Sequence, residues 1–107
     1  MSSEDPRWHL LTLAQVELLA HFADRGVERI EYIAAFPNFD YFTVWLCTGT
    51  DAEREALGTP NPAIDEVRQI LRRTGFTAAQ LTGLDTIAQS QETVDRDYES
   101  SWFYAMR

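Results

Sequence analysis

Asp85, Glu92, Asp95, Asp97 and Glu99 lie within fifteen residues, with Arg96 as the one cation among them. They run directly into Ser101-Trp102-Phe103-Tyr104. Two chemistries use such a stretch. Alternating carboxylates can coordinate a hard cation, and carboxylates beside large flat rings can hold a basic protein. The cation reading fails on detail. An EF-hand loop needs a longer ligand series with Gly at its sharp turn, and Tyr98 stands where that Gly belongs. The partner reading survives. Glu92, Asp95, Asp97, Glu99, Trp102 and Tyr104 are therefore the candidate partner-binding residues. Repulsion within such a cluster opposes compactness, and a cationic partner relieves it.

Other chemistry finds little support. One Cys (Cys47) and two His (His9, His21) are too few for a zinc site without further ligands. His21 lies four residues after Glu17, the spacing of an exposed helical pair. Cys47 lies inside the most apolar segment, where a thiol behaves as a small buried residue rather than a nucleophile. There is no G-x-S-x-G elbow and no glycine-rich phosphate loop. The expectation is no catalytic residue, no cofactor and no metal.

Seventeen acidic residues against nine basic ones give a formal charge of −8. This disfavours nucleic acid and anionic membrane surfaces, which select a basic face. It favours a basic protein partner such as a toxin, a nuclease or a nucleic-acid-binding protein. All nine cations are Arg. A single Cys precludes an internal disulfide, and the acidic start Met1–Pro6 lacks the features of a signal peptide. No apolar run approaches the ~20 residues that span a bilayer. A reducing cytoplasm is the expected compartment.

The positioning elements follow from periodicity. Residues 1–10 are expected as an N-terminal arm, with Trp8 packing it onto the domain. A helix is expected over residues 13–25, from a Thr12/Gln15 capping box, apolar Leu13, Val16, Leu19, Ala20 and Ala23, and a closing Gly26. Val27–Phe36 and Tyr41–Thr48 form a predicted antiparallel hairpin about a turn at Pro37–Asp40. The second of these strands is almost wholly apolar, as a strand covered on both faces should be. Thr50 and Glu53 cap a short helix that stops by Gly58. Asn61 and Pro62 open another that carries Ile64, Val67, Leu71 and Thr74 on one face, with Gly75 closing it. A single turn follows at Thr77–Leu81, with Thr77 and Gln80 suited to a cap. Two last strands are expected near Leu84–Glu92 and Trp102–Met106, with Trp102 and Tyr104 sharing one face of the second.

The predicted order is α-β-β-α-α-β-β. It describes one α+β domain over residues 1–107: a two-layer sandwich of about four mostly antiparallel strands with helices on one face. The expected core includes Leu19, Phe42, Val44, Leu46, Ile64, Val67, Leu71 and Ile87. In size, charge and want of catalytic parts the chain resembles small acidic proteins that neutralise a dedicated partner, such as bacterial toxin-immunity proteins and phage-encoded inhibitors of host defence. That resemblance implies a module that covers a partner's active or nucleic-acid-binding surface. The alternatives are a small enzyme or ligand- or metal-binding domain with carboxylates in a cleft, and a homodimeric structural or adaptor subunit.

Overall fold

The computed structural model describes residues 6–35 and 41–106, with side chains described for residues 8–33 and 42–106. Helix α1 (Pro6–Phe22) passes into a 3-10 turn at Ala23–Arg25, then strand β1 (Val27–Ala35) and strand β2 (Tyr41–Thr48). Helices α2 (Asp51–Ala56) and α3 (Ile64–Thr74) follow, then a 3-10 turn at Ala79–Leu81 and strand β3 (Leu84–Ser90). Helices α4 (Gln91–Asp97) and α5 (Trp102–Ala105) end the described chain. The class is α+β, mostly in two layers.

The sheet has three described strands in the order β1-β2-β3. β1 and β2 pair antiparallel, with Ile30 opposite Leu46 and Tyr32 opposite Val44. β2 and β3 pair parallel, with Val44 opposite Thr86 and Leu46 opposite Ala88. The sheet is therefore mixed, where about four mostly antiparallel strands were expected. α2 and α3 lie in the β2–β3 connection, and a crossover of that length is what a parallel pair requires. The expected fourth strand is helical: Ser101 accepts from the Tyr104 N–H at 3.3 Å and opens α5. The turn expected at Pro37–Asp40, the last residue of the first expected strand (Phe36) and the first five residues lie outside the described residues. Residues 6–10 of the expected arm belong to α1, and Trp8 is 46% exposed.

α1 begins before the Thr12/Gln15 cap that the sequence suggests. Thr12 is inside the helix and donates its hydroxyl to the Trp8 carbonyl at 3.0 Å. The Gln15 side-chain amide crosses to the Ile30 carbonyl at 3.0 Å, and the Tyr32 hydroxyl donates to the Leu11 carbonyl at 3.0 Å. These bonds hold α1 against β1 with Leu11, Ala14, Leu18 and Phe22 buried. The inward face is thus one step around the helix from the expected one, and Leu13 and Val16 are 47% and 68% exposed. Gly26 ends the turn at φ 89, and a Cβ there would collide with the Glu53 carboxylate.

The expected α2 capping box forms: the Thr50 hydroxyl accepts from the Glu53 N–H at 3.2 Å, and Glu53 Oε1 accepts from the Thr50 N–H at 3.0 Å. α3 starts later than expected. Ala63, not Asn61, holds its N-cap position without a side-chain bond. Its C-terminus closes as expected, with the Phe76 N–H returning to the Leu71 carbonyl at 3.0 Å. Phe42, Val44 and Leu46 on β2 pack with α1 and α3 residues, including Leu18, Val67, Ile70 and Leu71, in one core. Thr43, Trp45 and Cys47 on the opposite face of β2 are also buried, so this strand is covered on both sides. Leu19 and Ile64 are only half-buried against the core, and Ile87 is half-buried.

Candidate functional site

The two parallel strands end side by side and each feeds a helix at once. Thr48 leads through Thr50 into α2, and Ser90 ends β3 and caps α4. The Ser90 hydroxyl accepts from the Thr93 N–H at 3.1 Å. The same hydroxyl donates to Asp51 Oδ1, as does the Thr93 hydroxyl at 2.6 Å. Arg96 Nη1 reaches Asp51 Oδ2 at 3.1 Å. Arg54 Nη1 donates to Thr93 Oγ1 at 2.7 Å and to Gln89 Oε1 at 3.2 Å. Hydrogen bonds from Ser90, then Thr93 and Arg96, hold the Asp51 carboxyl well below the usual carboxylate range. The positive ends of α2 and α4 therefore face carboxylates of the chain itself, which fastens the two helices together.

The residues expected to meet a partner divide among several elements. Asp85, the first carboxylate of the acidic stretch though not a candidate contact, is on β3. Glu92, Asp95 and Asp97 are on α4, so the acidic stretch is a helix and not a loop. Glu92 Oε1 accepts from the Asp51 N–H at 2.7 Å. Asp95 Oδ1 accepts from the Gln91 amide at 2.8 Å, and Asp97 Oδ1 from Arg96 Nε at 3.2 Å. Glu99 is exposed in the turn after α4, at φ 54. All four acidic side chains are nonetheless exposed.

α5 brings the aromatic residues beside this helix. Trp102 is half-buried, and its indole Nε1–H donates to Gln91 Oε1 at 2.7 Å. The Arg29 guanidinium lies 4.6 Å from the Trp102 ring centre. Arg29 pairs with Cys47, on the sheet face turned away from Val44 and Leu46, so Trp102 covers the second face of the sheet. Tyr104 is 53% exposed, and Phe103, which the strand reading assigned to the opposite face, is 69% exposed. Their rings meet edge to face at 5.7 Å. Trp102 is thus an anchor, and Phe103 and Tyr104 are the presented pair. The Ser101 cap was the sequence signal for a helix here.

Cys47 is buried on β2, and burial pushes its thiol up to about 11, against nucleophilic use. His21 pairs with Glu66 of α3 at 2.8 Å rather than with Glu17, which faces Arg73 at 3.6 Å. Among the described residues no group of three or more His, Cys, Asp or Glu is arranged to hold a metal ion. Among them too, no helix is long and apolar enough to cross a membrane. No protein-family model, curated protein or solved structure matches this chain.

Proposed function

We propose that this chain is an acidic protein-binding module that takes a basic partner on the surface formed by α4 and α5. The observation that carries this is the exposed Phe103–Tyr104 pair on a helix whose Trp102 is hydrogen-bonded to acidic α4. Exposed aromatic residues supply durable contacts once water is excluded, and carboxylates around them steer a cationic surface into place. Glu92, Asp95, Asp97 and Glu99 supply that field. Binding covers the partner's active or nucleic-acid-binding surface, in the manner of toxin-immunity and anti-defence inhibitor proteins, and this chain performs no reaction. The single buried Cys47 fits work in a reducing cytoplasm.

The test immobilises the native chain, Asp95→Arg/Asp97→Arg and Phe103→Ala/Tyr104→Ala, and compares what each retains from one cell extract. A basic protein held by the native chain and lost from both variants is the expected result. Identical retention by all three forms sinks the proposal.

A further inference from the structure

Among the described residues β3 is an edge strand. One side of its backbone pairs with β2, and no described strand pairs with the other. A groove of about 630 Å³ runs beside it, lined by Thr86, Ile87, Ala88 and Gln89 and walled by the segment from Arg54 to Pro62. Successive strand residues point to opposite faces of a sheet. A groove lined by four consecutive residues therefore follows the edge of the strand and not either face. Thr86 adds an independent sign. It is 2% exposed and its hydroxyl has no hydrogen-bond partner among the described residues, a state that costs free energy until another group completes it.

We propose that this groove binds an extended peptide segment of a partner protein, which adds a strand to the open edge of β3. On this edge the Thr86 N–H donates to Asp85 Oδ1 at 2.9 Å and the Ser90 N–H to Gln89 Oε1 at 3.1 Å, so an incoming extended backbone displaces the Asp85 cap and pairs with the outward groups of Thr86 and Ala88. Ile87, Ala88 and the buried Pro62 give the groove an apolar part of its lining, which suits a small or apolar side chain of the incoming segment. Arg54, held by Gln89 and Thr93, keeps one end of the groove in shape. A single segment fits better than a second copy of this chain. The copy's own wall from Arg54 to Pro62 would compete for the same space, and two chains of formal charge −8 repel. This site shares no residue with the α4–α5 surface, so either can fail without the other.

The experiment selects a random heptapeptide library against the full chain and follows the best peptide by amide NMR. The expected result is shifts concentrated at residues 58–62 and 86–89. N-methylating alternate peptide residues removes main-chain donors but keeps the side chains, and should weaken binding about tenfold or more. Thr59→Trp, which plugs the groove from an exposed wall position, should weaken it similarly, while Asp95→Arg/Asp97→Arg leaves it unchanged. Failure to select any peptide tighter than about 1 mM overturns the proposal, as do shifts confined elsewhere or indifference to N-methylation. A concentration-dependent dimer abolished by Thr59→Trp overturns it in favour of a second copy.

Discussion

Trp102 donates its indole N–H to the side-chain oxygen of Gln91 at 2.7 Å, and this bond ties the final described helix to the first residue of α4. Gln91 in turn donates to Asp95 at 2.8 Å, so ring, amide and carboxylate form one chain across α4 and α5. The stacked Arg29 adds a cation–π contact from β1. α5 has four residues and buries none of them fully, so these contacts set its orientation.

Trp102→Phe should therefore keep a ring over Arg29 but lose the hydrogen bond. The expected cost is about 1 kcal/mol in urea unfolding, with faster amide exchange across residues 103–105. Trp102→Ala should cost more, because the ring contact goes too. If Trp102→Phe left both exchange and stability unchanged, the bond to Gln91 would not be what orients α5.

Local signals were legible where the chain closes its own hydrogen bonds. The Thr50/Glu53 box, the Gly75–Phe76 closure and the reciprocal Thr77/Gln80 pair all form from adjacent residues. The misread elements depend on distant partners. Apolar residues surround α1, so periodicity alone offers one face through Leu13 and Val16 and another through Leu11, Ala14, Leu18 and Phe22. Docking on β1, through Gln15 and Tyr32, decides between them. The aromatic run at residues 102–104 has high strand propensity, but the Ser101 cap and the Gln91 contact make it helical. The Asp51 network joins residues about forty positions apart, and no spacing rule reaches that far.

The facing of α1 gives a direct check. Leu18→Ala should cost ~2–5 kcal/mol, since Leu18 is fully buried in the core. Val16→Ala should stay within about 0.5 kcal/mol, since Val16 is mostly exposed. The two variants differ by two sequence positions, and paired chemical denaturation separates them. Equal costs would restore the face through Leu13 and Val16.

Glu66 supplies a pH dependence. Arg25 grips its carboxylate with a fork at 2.6 and 3.1 Å, and His21 adds a third contact at 2.8 Å. These bonds, Arg25's first, lower its pKa from 4.5 to about 2. A depressed acid contributes stability above its unfolded-state pKa and loses it as pH falls towards the folded value. The melting temperature of the native chain should exceed that of Glu66→Gln above pH 5, and the gap should narrow between about pH 4.5 and 2. The side chain is 41% exposed, so solvent screening keeps the gap small. A gap that widened on acidification would contradict this assignment.

With a partner in hand, the two halves of the α4–α5 surface should separate kinetically. Asp95 and Asp97 are exposed and act through the field that precedes contact, so Asp95→Arg/Asp97→Arg should slow association and flatten its dependence on ionic strength. Phe103 and Tyr104 act after water is expelled, so Phe103→Ala/Tyr104→Ala should speed dissociation and leave association nearly untouched. The expected loss for a central aromatic is about 2 kcal/mol or more, roughly a thirtyfold weaker complex. Surface plasmon resonance at two salt concentrations resolves both rates. Association that ignored both salt and charge reversal would remove α4 from the interface, and unchanged dissociation in the aromatic variant would remove α5.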